Sequence, residues 1–234
     1  MHVAKVIGML LGLVTITAAQ TGSGAAPAAT SVLPAATSVL PKDIDRQSLS
    51  RLPILKRDDM DEDGKRIYDM LAGGPGKTVT PTGPVAISLY SPKVAEAIQM
   101  LNQYLRFHGA LKPRDYEVAI LVAAREFDQQ YEWTGHEMGA RASQVPQSVI
   151  DAIKYSRDTA GLSDRDTLIV SFARQLLREH KLDSDRYAKA VATFGQQGTL
   201  ELATIIGDYA MAAMMLTATD QHLPPGRPEL LPAK

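Results

Sequence analysis

KPRDYEVAILVAAREFDQQYEWTGHEMGARA, residues 112–142, contains two consecutive helical segments and decides the fold of this chain. Pro113 suits the first turn of a helix, where its missing N–H costs no hydrogen bond. The run VAILVAA at residues 118–124 is apolar around the whole helix circumference, which predicts a central, buried helix. A second helical segment follows over residues 130–143. The sequence therefore predicts a helical core built around residues 114–127.

The rest of the folded part repeats this helical pattern, and no stretch alternates apolar and polar residues as a strand would. Pro or Ser starts several segments, and their apolar residues recur at helical spacing. The predicted fold class is all-α, with one compact helical domain over residues 51–223 and a tail over residues 224–234. The further predicted helices cover residues 58–71, 93–108, 146–155, 163–177, 184–195 and 199–217.

The N-terminus has the composition of an export signal. A weakly basic start precedes the apolar residues 6–17, and Thr17, Ala18 and Ala19 are small enough for cleavage. Residues 20–50 are rich in Ala, Pro, Ser and Thr and contain PAATSVL twice in tandem, each copy with a helix-breaking proline. The sequence predicts a signal peptide over residues 1–19, a disordered linker over residues 20–50, and export to the periplasm or the medium.

Composition excludes several classes of function. The formal net charge is −1, so no basic surface for nucleic acid is expected. The chain has no cysteine, which rules out disulfides, thiolate catalysis and cysteine-ligated metals. Glu201 and Asp208 interrupt the apolar run of the last helix, which is also short for a membrane span, so no stable membrane insertion is expected.

Three titratable residues stand out in this stretch. Glu117 shares a helix face with apolar residues three, four and seven positions further on, where a carboxylate needs a partner and its pKa would rise. Glu132 and His136 are four residues apart and therefore adjacent, and Gly135 and Gly139 continue beside them. Taken singly, Glu117 is equally well explained by the helix dipole, and Glu132 with His136 by a surface ion pair.

The joint spacing resembles the active-site motif of the carboxymuconolactone decarboxylase and alkyl hydroperoxidase D-like superfamily. The motif runs Glu117, eleven residues, Gln129, two residues, Glu132, three residues and His136. The two intermediate positions are cysteines in the peroxidase-like branch, so this chain resembles the cysteine-free members. TLELATIIGDYAM at residues 199–211 is also similar to the last helix of that family, and the resemblance covers roughly residues 50–220.

The resemblance implies a helical domain of the alkyl hydroperoxidase D-like type, with Glu117, Glu132 and His136 lining one pocket. The implied activity is that of a cofactor-independent carboxy-lyase that decarboxylates a carboxymuconolactone-like acid. The lactone carbonyl would accept the electron pair as a dienolate, and a protein acid would then protonate carbon. We assign His136 to that proton transfer or to polarising the carbonyl, with Glu117 or Glu132 as the partner donor.

Substrate binding is assigned to residues of the same stretch. Tyr131 and Trp133 would form the pocket wall, and Gln129 occupies the first cysteine position of the peroxidase-like branch. Arg125 or Arg141 would face a substrate carboxylate. The expected partner is a small-molecule substrate, without metal or cofactor, and the resemblance implies a homo-trimer or homo-hexamer.

Three alternatives stay open at the level of sequence. The same acid and base would serve an isomerase, dehydratase or cyclase that acts on small lactone or carbonyl compounds. The domain would also suit a noncatalytic binding or assembly module, which export mildly favours. Two carboxylates and one imidazole could hold a metal ion, although the zinc motif His-Glu-x-x-His fails because Ala140 stands in place of its second histidine.

Overall fold

Eight α-helices follow one another in the computed structural model, which describes residues 40–74 and 80–233. Within these two ranges the β pairing is limited to one isolated bridge between Asp45 and Ser50, so the all-α prediction is confirmed. The predicted signal peptide and most of the predicted linker lie outside the described residues. The helices are α1 (Glu62–Leu71), α2 (Gly83–Ser88), α3 (Pro92–Phe107), α4 (Pro113–Glu126), α5 (Gln130–Ala142), α6 (Gln147–Lys154), α7 (Asp164–Glu179) and α8 (Ser184–Ala218).

Helix α4 is the centre of the domain, as its apolar run predicts. Every residue from Asp115 to Arg125 is buried, and α5, α6, α7 and α8 all pack against this helix. Burial on all sides also explains why polar side chains on α4 must find partners within the protein. A smaller apolar cluster around Ile67, Leu89 and Ala95 joins α1 to α3 at the side of this core.

Helix α8 is the longest element and changes direction within its length. Gly195 has φ 72° and ψ 175°, a non-helical conformation that a side chain would strain, and this position agrees with the predicted break between two helices. Helix α8 is long and apolar enough to cross a membrane by length and composition. In this structure its second half packs against the core, and Leu202, Ile205 and Leu216 are fully buried.

The folded unit begins at Asp43, before the predicted end of the linker at residue 50. The Ser50 hydroxyl and the Arg51 N–H both donate to the Thr219 carbonyl, at 3.0 and 2.8 Å. The predicted tail is also held in place, because the Leu231 N–H donates to Gln130 Oε1 at 2.8 Å and the Leu231 side chain is buried. Both ends of the domain therefore pack on the helical core.

Candidate acid-base site

Glu117 and His136 come together where α4 packs against α5. Glu117 Oε2 lies 2.9 Å from His136 Nδ1, and Glu117 is only 3% exposed. A charged Glu117 places the imidazole proton on Nδ1, which leaves Nε2 as the atom that can exchange a proton. His136 itself is 16% exposed, so the imidazole connects a buried carboxylate with the outside of the helix pair.

Gly139 provides the space that the Glu117 carboxylate occupies. A Cβ atom at this position would lie 2.9 Å from Glu117 Oε1 and 3.0 Å from Oε2, closer than real Cβ contacts allow. Gly135, one helical turn earlier, has no such neighbour within 4 Å. Of the two glycines noted in the sequence, Gly139 is therefore the one that the site requires.

Glu132 lies on the other side of the imidazole. Its Oε2 is 3.4 Å from His136 Nε2, a contact without good hydrogen-bond geometry, and its Oε1 has no hydrogen-bond partner in the described part of the chain. Burial raises the pKa of Glu132, which the neighbouring His136 partly offsets and Asp208 reinforces. A buried carboxyl group that favours its protonated form and keeps one oxygen unpaired is suited to donate a proton.

Helices α3 and α8 complete the site with four polar residues that the sequence reasoning did not assign to it. Arg106 Nη2 donates to Glu117 Oε1 at 3.4 Å, and its buried Nε has no partner among the described residues. Asn102 Nδ2 donates to Asp208 Oδ2 at 3.0 Å, and burial raises the pKa of Asp208. The Tyr209 ring meets the His136 ring edge to face at 4.7 Å between centroids.

One sequence signal pointed to part of this set. Asp208 interrupts an apolar helix, and a carboxylate in a buried helix face needs a reason to be there. Arg106 and Asn102 are four residues apart on α3 and so share a face, but their sequence neighbours do not distinguish that face from a solvated one.

Solved structures with the same arrangement of helices belong to peroxidase-related proteins and a debrominase. A peroxidase-related protein from Silicibacter sp. TM1040 has a TM-score of 0.60 and 13% identity, over 79% of this chain and 95% of that chain. The alkylhydroperoxidase AhpD core of a peroxidase-related protein from Ralstonia eutropha JMP134 has a TM-score of 0.60 and 16% identity, over 76% and 93%.

The chain has the alkyl hydroperoxidase D-like fold. The debrominase Bmp8, solved in complex with 2,3,4-tribromopyrrole, shares it with a TM-score of 0.53 and 15% identity, over 73% of this chain and 90% of that chain. No protein-family model and no curated protein sequence matches the chain. At these identities the likeness confirms the resemblance at the level of the fold and leaves the reaction to the site itself.

Gln129 occupies a capping position in this alkyl hydroperoxidase D-like domain. Its side-chain oxygen accepts from the Tyr131 N–H at 3.1 Å, and its amide donates to the Thr217 hydroxyl at 3.1 Å. Gln129 therefore joins the start of α5 to the end of α8. Tyr131 packs its ring against Gly83 of α2 and lines a separate cavity with that helix.

Three predicted binding residues do not reach the trio of Glu117, Glu132 and His136. Trp133 is fully buried in the core, where its Nε1 donates to Glu137 Oε2 at 2.6 Å, so it does not form a pocket wall. Arg141 pairs with Glu137 at 2.7 Å. Arg125 donates to the Pro232 carbonyl at 2.7 Å. The guanidinium beside the trio is Arg106 instead, which reaches Glu117 from α3.

A metal ion would have to displace the contacts of the imidazole. Within residues 40–74 and 80–233, no group of three His, Asp or Glu side chains is arranged to hold a metal. Both ring nitrogens of His136 already face carboxyl oxygens, at 2.9 and 3.4 Å. The arrangement is one of proton donors and acceptors around an imidazole.

Proposed function

We propose that this chain is a cofactor-independent acid/base enzyme, a carboxy-lyase that decarboxylates a small lactone or carbonyl acid of the carboxymuconolactone type. One observation carries the proposal: His136 lies between two buried carboxyl groups, Glu117 at 2.9 Å and Glu132 at 3.4 Å. Beside them, Arg106 keeps an unpaired N–H and Glu132 an unpaired oxygen within the described structure. Unpaired buried groups of both kinds are what a bound polar substrate would satisfy.

The two carboxyl groups have different roles in this proposal. Glu117 accepts from both His136 and Arg106, and it holds the imidazole in the tautomer with Nδ1 protonated. Glu132 favours its protonated form because burial raises its pKa, and it can pass a proton to His136 Nε2 or to the substrate. A proton donor and a proton acceptor are thus positioned side by side.

The reaction requires the movement of one electron pair and one proton. The C–C bond to the substrate carboxylate breaks, carbon dioxide leaves, and the electron pair enters the conjugated lactone carbonyl as a dienolate. The Arg106 guanidinium balances the negative charge, which moves from the carboxylate to the carbonyl oxygen. A proton delivered through Glu132 and His136 then bonds to carbon and restores the carbonyl, so the net change is uptake of one proton and loss of carbon dioxide.

Substitution of His136 tests this assignment. We expect His136→Gln to lower the rate of carbon dioxide release from a carboxymuconolactone-type acid about 10²-fold or more, because the proton transfer loses its carrier. His180→Gln, at the exposed C-terminal end of α7, is the matched control and should release carbon dioxide at the wild-type rate. A rate near wild type in His136→Gln would remove the histidine from the mechanism.

Product analysis separates decarboxylation from its alternatives. An isomer formed without carbon dioxide would mean that the same acid and base serve an isomerase, dehydratase or cyclase. Arg106→Met should raise the Kd of the acid substrate more than the Kd of its neutral ester, since only the acid brings a carboxylate to the guanidinium. Binding of acids without turnover of any of them would favour a noncatalytic module.

Self-association is a second part of the proposal. Met100, Leu101, Tyr104 and Phe107 form an exposed apolar stripe along α3, with Met100 66% exposed. Such a stripe on a helix that also carries Arg106 supports a homo-trimer or homo-hexamer formed next to the site. Sedimentation velocity measures the assembly directly, and a monomer at micromolar concentration would contradict it.

A further inference from the structure

A cavity of about 280 Å³ is lined in part by Tyr131, the residue before Glu132. Its wall comes from the N-terminal arm at residues 47–54, from α2 and the residues on either side of it, from Tyr131, and from residues 221–225 after α8. Glu117, Glu132 and His136 are not part of this wall. The cavity is therefore a separate compartment, built where both ends of the domain return to the core.

The described wall of the cavity suits a neutral ligand better than a charged one. Among the described residues that line the cavity, none is Lys, Arg, Asp, Glu or His. The Tyr90 hydroxyl donates to the Pro53 carbonyl at 2.9 Å, and the Gln221 amide donates to the Ser48 carbonyl at 3.0 Å. Since these donors are already used and the described lining residues offer no counter-ion, a carboxylate would lose its hydration without replacement.

Tyr131 gives the cavity one polar, structurally fixed group. Gly83 has φ +60°, and a Cβ atom there would lie 2.7 Å from Cε1 and Cζ of the Tyr131 ring, so the ring lies directly on the backbone of α2. Burial raises the pKa of Tyr131. Its hydroxyl thus stays neutral at physiological pH and remains able to hydrogen-bond a carbonyl or hydroxyl group.

We propose that this cavity binds a neutral, flat molecule with one ring system and one or two polar atoms, such as an aromatic lactone. Apolar cavities of about 150 Å³ are known to hold benzene, and this one has roughly twice that volume. The ligand would lie between Tyr90 and Tyr131, with its polar atom toward the Tyr131 hydroxyl. The inference does not depend on the reaction at His136. An acid substrate needs a cation such as Arg106 beside it, whereas a neutral ligand suits a lining without charged side chains.

Coumarin and coumarin-3-carboxylate are a matched pair of probes for this cavity. We expect coumarin to bind the full chain in isothermal titration calorimetry and to raise its melting temperature. The carboxylate should bind at least tenfold more weakly at this cavity, because it differs by a charge that the wall cannot balance. Equal affinity for the two probes, or no binding of coumarin, would overturn the proposal.

Two variants locate the binding. Ala86→Trp places an indole within the cavity and should weaken coumarin binding at least tenfold, whereas Ala188→Trp, on an exposed part of α8, should not. Tyr131→Phe keeps the ring and should weaken coumarin binding several-fold, which tests the site even if Ala86→Trp fails to fold. His136→Gln should bind coumarin like the wild type. If His136→Gln lost coumarin binding while Tyr131→Phe kept it, the ligand would lie in the acid-base site and the proposal would be wrong.

Discussion

Helix α5 carries two buried glutamates, Glu132 and Glu137, that the protein treats in opposite ways. They are 4% and 3% exposed. Glu137 accepts hydrogen bonds from Trp133 Nε1 at 2.6 Å and Arg141 at 2.7 Å, and it pairs with Lys154 at 2.8 Å. Glu132 has one contact with an imidazole at 3.4 Å and an oxygen without a partner in the described structure.

The difference in partners reverses the effect of burial. For Glu137, burial alone would raise the pKa, but the hydrogen bonds from Lys154, Arg141 and Trp133 outweigh it and lower the pKa. For Glu132, burial raises the pKa and nothing outweighs it. A buried carboxylate with all its donors present is a structural element, and one without them is a candidate for proton transfer.

The largest expected effect of this difference is on stability. Glu137→Gln should lower the free energy of unfolding at pH 7 by about 3–5 kcal/mol, because Lys154 and Arg141 lose their counter-charge and Lys154 is left buried. Glu132→Gln should not lower it, because the amide cannot ionise and so avoids the cost that burial imposes on a carboxylate.

Urea unfolding followed by far-UV circular dichroism measures both variants. Trp133 fluorescence gives a second probe, because Trp133 is the only tryptophan of the chain. If Glu132→Gln destabilised the protein as much as Glu137→Gln, the two glutamates would both be structural, and the acid assigned to the site would have to be sought elsewhere.

The two glycines of α5 give the next largest contrast. Gly139→Ala should lower the free energy of unfolding by about 1–3 kcal/mol, because its Cβ atom displaces the Glu117 carboxylate from His136. Gly135→Ala meets no atom within 4 Å and should raise stability by about 0.5–1 kcal/mol, as expected for alanine in a helix.

Turnover of the same two variants distinguishes damage to the acid-base site from a general effect of alanine on helix α5. Turnover should fall in Gly139→Ala and stay at the wild-type level in Gly135→Ala. Equal effects of the two substitutions on stability would mean that Glu117 moves without cost, and that Gly139 is not what holds the site together.

The sequence predicts the parts of this molecule that depend on local spacing. The apolar run of α4 predicts its burial, and the family resemblance carried by the motif from Glu117 to His136 implies that these side chains meet. Local spacing also has limits, because Glu132 with His136 and Glu137 with Arg141 are both acid–base pairs four residues apart. Only Lys154 and Trp133, on the other side of α5, decide which of the two glutamates is satisfied.

Contacts between helices that are distant in the chain cannot be predicted from the local spacing of residues. Arg106 and Asp208 meet the site from α3 and α8, about a hundred residues apart in the chain. The sequence points instead to Arg125 and Arg141, which lie nearer in the chain but pair with other groups. The packing of residues 43–50 on Thr219 is equally non-local. Residues 43–50, DIDRQSLS, carry no helical pattern, so the sequence does not predict that they pack against the end of α8.

The smallest expected difference between Glu132 and Glu137 is in how each makes the free energy of unfolding depend on pH. Glu132 has a raised pKa in the folded state, so between its ordinary value and that raised value the folded protein binds more protons than the unfolded chain. Stability from this group therefore falls as pH rises through that window, by about 1.4 kcal/mol for each unit of displacement. Glu137 has a lowered pKa, so its contribution is present above the ordinary value and is lost as pH falls toward the folded one.

Subtracting each variant from the wild type isolates these two contributions, because all other titrating groups cancel. As pH rises from about 3 to 7, the stability of the wild type should fall relative to Glu132→Gln and rise relative to Glu137→Gln. Urea unfolding in a series of buffers at constant ionic strength measures both difference curves. Curves with the same slope would show that the two carboxyl groups ionise alike, and the distinction between a structural and a proton-donating glutamate on α5 would then be lost.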